Sequence, residues 1–474
     1  GVYGLLEAYL GCRFLAREVE VVPAAADICL PEMDETKVSP LEYRETYWYE
    51  PERFGDFAMK RGFNASITQP YAEHLGGSIQ ALGLAHTFFS FLSPEEFFDE
   101  HPEYFSLVGG RRIREETQLC LTNPEVKRIV KERLREAIVA HPECKMFSVS
   151  QMDWYNPCEC PECARIDAEE GSHMGTVLRF VNECADSIAE EFPDVVIETL
   201  AYQYTRQPPK LTKARPNVCV CLCSIECCFA HPLAQCDEIC SFADKVHGDS
   251  FQHDLKEWAK VCDRLYVWDY VVNFSHYFMP FPNFHVLKEN IQFFIDHNVK
   301  GIFEEGATAA CGKCELAELR SYVLTHLMWD PTLDTDTLVE EFMVGYFGNA
   351  AQPLMAYYRM LHQAVEANPD IHFGIYDPPR IDYLTPILPQ LKALFDKAEA
   401  MADNDEILER VEIARLPIRY FEIMMQPVET EGRPEAIEAL FGDFARFGID
   451  EIWEGRTMEQ ARERIEQPFK RRWE

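Results

Sequence analysis

The sequence has no run of about 18 apolar residues, so it predicts no helix that spans a membrane. It also has few basic residues: 45 Lys and Arg stand against 80 Asp and Glu, a formal net charge of −35. Nucleic acids and anionic membranes are bound by basic surfaces, so the charge excludes both as partners. The acidity fits a neutral, sugar-like ligand, or it serves only to keep the protein soluble.

Several motifs of common enzyme classes are missing. There is no glycine-rich loop followed by Lys and Ser or Thr, and no dinucleotide fingerprint opens a βαβ unit. A Gly-x-Ser-x-Gly elbow is also absent. The sequence therefore gives no sign of a phosphate-binding loop, a nicotinamide or flavin site, or a serine nucleophile of the α/β-hydrolase type.

Cysteine is abundant, with 18 in 474 residues. The cysteines lack the spacing of a small disulfide scaffold, and several alternate within one apolar segment, which favours free thiols in a reducing compartment. The N-terminus shows neither the basic region nor the cleavage site of a signal peptide. These features predict a cytoplasmic protein, although a start missing from this sequence could carry an export signal.

The pattern of apolar residues predicts an α/β fold. Between residues 43 and 306, short apolar segments alternate with longer amphipathic ones, as in parallel βα units. Eight such segments predict a (β/α)8 TIM barrel. The predicted strands are Tyr43–Tyr49, Phe63–Ile67, His86–Phe91, Met146–Gln151, Val195–Tyr202, Val218–Ile225, Leu265–Tyr270 and Gly301–Phe303.

Three regions follow from this pattern. Residues 1–42 hold a helical patch that ends at Gly11, a short extended piece and a linker, which is too little for a core and predicts the tail of a small α+β domain. Residues 43–330 form the predicted barrel, and residues 331–474 carry only helical periodicity and predict a C-terminal α-helical domain. The sequence leaves the oligomeric state open.

Carboxylates and aromatic residues follow several predicted strands. In a barrel the working groups lie at the C-terminal ends of strands, so these side chains are expected to surround one mouth. Glycoside cleavage requires a protonated acid and an ionised carboxylate, and aromatic faces stack on sugar rings. In the alternative, each acid pairs with an arginine or caps a helix. The candidate acids are Asp153, Glu226, Asp269 and Glu304, accompanied by Trp154, Tyr202, Tyr204, Trp268, Tyr270 and Glu305.

Three basic residues are candidates for binding a substrate. Arg44 could hold sugar hydroxyls or keep an acid ionised, or it could form an ion pair with Glu45 or Glu50. His86 and His231 stand near strand ends, where a histidine either binds a ligand or is a satisfied structural residue.

A cysteine cluster directly follows the fourth predicted strand. Cys158, Cys160 and Cys163 supply three thiols within six residues, and Cys120 is a candidate fourth ligand. This spacing allows a structural zinc, whereas the alternative is reduced thiols that only pack. The sequence predicts no cofactor for catalysis itself.

Several segments resemble a known family. They are His101–Phe105, Gln118–Pro124, Ser150–Cys163, Leu200–Thr205, Tyr266–Tyr270 and Gly301–Gly306. Together they resemble the domain of unknown function 4838, part of which is classed as glycoside hydrolase family 163, over residues 40–350. Residues 3–13 resemble the end of the small domain that precedes barrels in hexosaminidase-like and α-glucuronidase-like enzymes.

This resemblance implies an endo-β-N-acetylglucosaminidase acting on the core of complex N-glycans. It also implies a retaining mechanism in which the 2-acetamido group of the substrate attacks the anomeric carbon, an exception to the scheme with two protein carboxylates. Asp153 is then expected to orient the acetamide and Glu226 to act as general acid/base, or Glu304 serves as the acid. The alternatives are an inverting α-glucuronidase-like exo-enzyme and a non-catalytic glycan-binding barrel.

Overall fold

The computed structural model describes residues 1–67, 70–241, 250–308, 312–376 and 382–467. Its centre is a curved parallel sheet of seven strands in the order β3-β11-β10-β9-β8-β7-β4. The strands are β3 (Tyr43–Thr46), β4 (Ala81–Leu82), β7 (Met146–Ser148), β8 (Val196–Ala201), β9 (Val218–Cys223), β10 (Leu265–Tyr270) and β11 (Val299–Glu305). This order confirms an α/β fold with a curved parallel sheet.

Two of the eight predicted strands are wrong. Phe63–Ile67 forms only a bridge between Ala65 and Ile79, because the Ile67 N–H donates to the Glu45 carboxylate at 2.7 Å instead of to a strand. The predicted strand His86–Phe91 contains a helix, Phe88–Phe91, and His86 has a left-handed φ of 57° that ends any extended segment. The short strand β4 was not predicted.

Helices surround the sheet, and among the described residues from 317 onward all regular elements are helical. The Val126, Val130, Leu134 and Ile138 side chains of α6 are buried four residues apart, which explains its predicted helical periodicity. The helices are α1 (Val2–Leu10), α2 (Tyr49–Arg53), α3 (Gly55–Lys60), α4 (Phe88–Phe91), α5 (Pro94–Phe97), α6 (Pro124–Ala140), α7 (Pro161–Glu170), α8 (Met174–Ile188), α9 (Phe251–Val261), α10 (Phe284–Asp296), α11 (Ala317–Trp329), α12 (Thr335–Phe347), α13 (Ala351–Glu366), α14 (Leu388–Met401), α15 (Asp405–Met425), α16 (Arg433–Arg446) and α17 (Met458–Glu466). Among the described residues, no helix is both long and apolar enough to cross a membrane.

The first 42 residues contribute α1 and a hairpin, β1 (Arg13–Ala16) with β2 (Val19–Val21). Gly11 ends α1 in the left-handed conformation, as its position in the sequence predicts. The buried Arg61 guanidinium donates to the carbonyls of Phe14 and Leu15 at 3.1 Å each and so fastens the hairpin to the rest of the protein. A second hairpin, β5 (Leu107–Val108) with β6 (Arg111–Arg112), precedes α6.

Candidate active site

The two faces of the sheet carry different side chains at its C-terminal edge. Trp268 and Phe303 line a small cavity on the concave side, together with Tyr43, Glu198, Cys221 and Tyr266. Because successive side chains of a strand point to opposite faces, Tyr270 and Glu305 lie on this concave side. Asp269 and Glu304 therefore lie on the outer side.

Glu305 ends β11 at the mouth of the concave side. Its Oε2 accepts a hydrogen bond from the Trp268 indole N–H at 2.6 Å. Burial raises the pKa of Glu305 to about 8, the hydrogen bond from Trp268 opposes this shift, and the negative charges of Glu454 and Asp153 add to it. Glu305 is therefore largely protonated at neutral pH.

Glu305 is fixed by the residue that follows it. A β-carbon at Gly306 would lie 2.3 Å from the Trp48 ring, so only glycine allows the chain to pass this close. Trp48 itself is 2% exposed. The packing leaves the end of β11 little freedom to move.

Asp153 follows β7 on the same mouth. Its side chain is 57% exposed, and its Oδ1 accepts a hydrogen bond from the Tyr202 hydroxyl at 2.9 Å. Burial raises the pKa of Tyr202 well above its usual range, so the hydroxyl stays a donor. The His86 Nε2 atom lies 3.9 Å from Asp153 Oδ1, and its Nδ1 lies 2.8 Å from the Gln151 carbonyl oxygen.

Two strained backbone positions flank Asp153. His86 and Gln203 are non-glycine residues with φ values of 57° and 51°. The Gln203 amide donates to the Tyr202 hydroxyl at 2.9 Å. Such conformations cost about 1–3 kcal/mol each and persist where the surrounding structure fixes them, often at functional sites.

Two residues from the helical part of the chain complete the mouth. The Tyr376 hydroxyl donates to Glu454 Oε2 at 3.1 Å, and the Glu454 N–H donates to the carbonyl of Phe274 at 2.9 Å. The charges of Asp153 and Glu305 both raise the pKa of Tyr376, after the larger effect of burial. We call this set of side chains the mouth cluster: His86, Asp153, Tyr202, Trp268, Tyr270, Glu305, Tyr376 and Glu454.

Glu226 lies outside the mouth cluster. It is fully buried, and its Oε2 lies 3.5 Å from the buried guanidinium of Arg206, whose Nε donates to Asp254 at 2.8 Å. Burial raises the pKa of Glu226 and the positive charge of Arg206 lowers it. The residue is thus part of a buried charge network between the end of β9 and α9.

We expect Glu226→Gln to lower the free energy of unfolding by about 1–3 kcal/mol, because Arg206 loses a buried anionic partner. The kcat on any glycan substrate should change less than about tenfold. Urea unfolding measures the first effect, with Glu257→Gln in the exposed pair with Lys260 as control. If a folded Glu226→Gln variant lost more than a hundredfold in kcat, Glu226 would have to be assigned a catalytic role.

Asp269 and Glu304 are register partners on adjacent strands, and both are buried on the outer side of the sheet. Ser224 donates to Asp269 Oδ1 at 2.5 Å. Burial raises the pKa of both carboxyl groups, and the charge of Asp269 adds to the shift at Glu304. These two predicted acids therefore lie beside each other, away from the mouth.

Four predicted binding residues have other contacts. The Arg44 guanidinium donates to the carbonyls of Gly62 and Leu41, and the predicted ion pair with Glu45 or Glu50 is not observed. Tyr204 packs edge-on against Tyr155 and His173, behind the mouth. The Trp154 indole N–H donates to the Thr117 carbonyl at 2.9 Å, which holds the half-buried ring beside the Asp153 loop. His231 stands near two cysteines after β9.

The structure brings Cys120, Cys158, Cys160 and Cys163 together. Their sulfur atoms lie within 4.8 Å of one another, with Cys120 and Cys160 3.7 Å apart. Zinc bound tetrahedrally at about 2.3 Å would set its sulfur ligands about 3.8 Å apart. The Leu107 N–H donates to Cys158 Sγ at 3.4 Å, a contact that favours a thiolate. The four cysteines thus fit a zinc ion in kind and in number.

Residues that the sequence did not single out also shape the mouth. Tyr376 and Glu454 lie in loops between helices, more than 70 residues after β11 ends, where strand-end reasoning does not reach. Glu198 gives no signal in the sequence because it stands within an apolar strand. It lines the cavity below the mouth, and burial raises its pKa to about 8.

Two solved structures of glycoside hydrolases are similar to this chain. The family 89 glycoside hydrolase from Clostridium perfringens, in complex with 2-acetamido-1,2-dideoxynojirmycin, is 12% identical with a TM-score of 0.51, over 94% of this chain and 58% of that chain. A family 115 4-O-methyl-α-glucuronidase with specificity for decorated arabinogalactans is 9% identical with a TM-score of 0.48, over 87% of this chain and 58% of that chain. The chain thus spans 58% of the length of both structures. At this identity, the first likeness shows the fold.

The comparison with curated proteins gives no match. The family model described as domain of unknown function DUF4838 matches residues 14–359. This range holds the whole sheet, Asp153 and Glu305. The chain belongs to the DUF4838 domain family.

Proposed function

We propose that the protein is a glycoside hydrolase that cleaves β-N-acetylglucosaminide linkages in N-glycans, as its resemblance to glycoside hydrolase family 163 implies. The observation that carries the proposal is the pair of carboxyl groups at one mouth. Glu305 is partly buried with a raised pKa, and Asp153 is exposed and hydrogen-bonded to a tyrosine. Aromatic rings surround the pair, as sugar binding requires.

Glu305 is the proposed general acid/base. A carboxyl group that is protonated near neutral pH can give its proton to the leaving glycosidic oxygen. The acetamido oxygen of the substrate attacks the anomeric carbon as the glycosidic bond breaks, which forms an oxazolinium ion. The ionised Glu305 then takes a proton from water, whose oxygen opens the oxazolinium ion with net retention.

Asp153 is the proposed residue that orients the acetamide. Its exposed carboxylate can accept the acetamide N–H, while the Tyr202 hydroxyl that donates to the carboxylate holds it in place. Trp268 and Tyr270 lie with their rings 6.4 Å apart and nearly parallel, a platform for a sugar ring. This assignment keeps Asp153 in its predicted role and moves the acid from Glu226, or from Glu304, to Glu305.

Product analysis tests the proposed activity. The protein is incubated with a complex N-glycopeptide and with aryl α- and β-N-acetylglucosaminides, and the products are identified by mass spectrometry. Release of a glycan with one terminal N-acetylglucosamine supports the proposal. Free uronic acid from a glucuronide would instead indicate the α-glucuronidase alternative, and glycan binding without any turnover would indicate the binding-protein alternative.

The pH dependence of kcat/KM should fall on its alkaline side near pH 8. Activity needs protonated Glu305, which is present below its pKa of about 8 and lost as the pH rises through it. Glu454→Gln removes a negative charge that raises this pKa, so its alkaline limb should move to lower pH. A Glu454→Gln profile that moves to higher pH, or not at all, would contradict the assignment of Glu305.

We also propose that Cys120, Cys158, Cys160 and Cys163 hold a structural zinc that braces the loop carrying Asp153. Cys163→Ser is expected to contain one equivalent of zinc less than the unchanged protein, because a closed four-ligand site is nearly fully occupied. Elemental analysis measures the difference, with the exposed Cys29→Ser as control. Equal zinc in Cys163→Ser and the unchanged protein would rule out the site.

A further inference from the structure

A second group of cysteine and histidine side chains lies beyond the end of β9. It consists of Cys228, His231, Cys236 and His372, whose ligand atoms lie within 4.8 Å of one another. The first three residues span nine positions that begin five residues after the end of β9, and His372 comes from the segment between α13 and α14. Chain segments 136 residues apart thus meet at one point.

The distances suit a tetrahedral metal. The His372 Nδ1 atom lies 3.4 Å from Cys228 Sγ and 3.7 Å from Cys236 Sγ, and the His231 Nδ1 atom lies 3.6 Å from Cys228 Sγ. Zinc–sulfur bonds of about 2.3 Å and zinc–nitrogen bonds of about 2.0–2.1 Å at tetrahedral angles separate sulfur from nitrogen by about 3.6 Å. The side chains are therefore already at the spacing that an ion would impose.

The chemistry of the donors favours zinc. The charges of two thiolates balance a doubly charged cation while the two imidazoles stay neutral, and borderline-soft zinc accepts both sulfur and nitrogen. The Ala230 N–H donates to Cys228 Sγ at 3.4 Å, which stabilises a thiolate. The His285 Nε2 atom lies 3.0 Å from the Ala230 carbonyl and fixes the same turn from behind.

We propose that Cys228, His231, Cys236 and His372 form a structural zinc site that fastens the segment 371–376 to the sheet mouth. Two backbone hydrogen bonds already connect this segment to the strand exits: Phe229 N–H to the Phe373 carbonyl at 3.0 Å, and Phe274 N–H to the Ile375 carbonyl at 2.8 Å. The metal adds a third attachment four residues before Tyr376. It thereby holds Tyr376 in the mouth cluster.

The ligand set of bound zinc tests the site in the unchanged protein. X-ray absorption at the zinc edge is expected to show an average of three sulfurs and one nitrogen per zinc when both clusters are filled, or two of each when only the second is filled. A first shell of sulfur alone, or a protein without zinc, would overturn the proposal. This measurement requires no variant to fold.

Substitution provides the second test. His372→Gln is expected to lose one equivalent of zinc and to raise the sulfur fraction of the remaining shell, while Cys29→Ser loses none. Cobalt substitution reports the same change, because the four-sulfur cluster would keep its thiolate charge-transfer band after His372→Gln. Retention of the full zinc content and of the zinc–nitrogen distance in His372→Gln would refute the assignment of His372.

Discussion

Glu305→Gln is expected to lower kcat on an N-glycopeptide by about 10²–10⁴-fold, the range for loss of a general acid. Gln keeps the shape of the side chain and still accepts the hydrogen bond from Trp268. An aryl glycoside with a highly acidic leaving group needs no proton at the glycosidic oxygen, so its first step should be slowed much less. Steady-state kinetics with both substrates measures the difference.

The matched control is Glu304→Gln, the same chemical change one residue earlier on the outer face. Its kcat should stay within about tenfold of the unchanged protein, with both leaving groups. A Glu305→Gln variant that loses equal activity on both substrates would show that Glu305 does not donate the proton. If Glu304→Gln were the more damaged variant at an unchanged melting temperature, the assignment of faces would be wrong.

Asp153→Asn is expected to lower kcat by about 10²–10³-fold, because the acetamide loses the carboxylate proposed to orient and polarise it. Folding should be affected by less than about 0.5 kcal/mol, since the side chain is largely exposed. A thiazoline inhibitor that mimics the attacking acetamide should bind about a hundredfold more weakly. An iminosugar without a 2-acetamido group should bind as before.

Two further variants serve as comparisons for Asp153→Asn. Tyr202→Phe keeps the carboxylate and removes one hydrogen bond, so a loss of about tenfold is expected. Asp99→Asn changes an exposed aspartate paired with Arg114 and should leave kcat unaltered. If Asp153→Asn bound both inhibitors equally well, a role in orienting the acetamide would be excluded.

The sequence predicted the α/β architecture and most helices because periodic burial is a local property. One of the amphipathic segments between predicted strands is observed as the helix Phe284–Asp296, and the helical periodicity after residue 331 includes the observed helix Leu388–Met401. The strand β4 escaped prediction because it has two residues and lies between glycines. The second predicted strand failed because the backbone N–H of Ile67 is bound by a side-chain carboxylate.

The sequence was enough to predict which strand ends carry the site. It was not enough to predict which acid faces the mouth. Glu304 and Glu305 are adjacent, and a shift of one residue in the expected strand phase exchanges their faces. Two further mouth residues, Tyr376 and Glu454, and the proposed ligand His372 come from loops whose position depends on how the helices pack on the sheet. No local sequence pattern predicts how the helices pack on the sheet.

In the cysteine clusters, the first reaction of the thiols affects which reactions can follow as the protein matures. The Cys120 and Cys160 sulfurs, 3.7 Å apart, need to approach by less than 2 Å to form a disulfide bond. The proposed zinc binding and oxidation therefore compete for the same atoms, and the first to occur blocks the other until a reductant intervenes. The redox history of a preparation, rather than its sequence alone, then decides which covalent form of the protein is obtained.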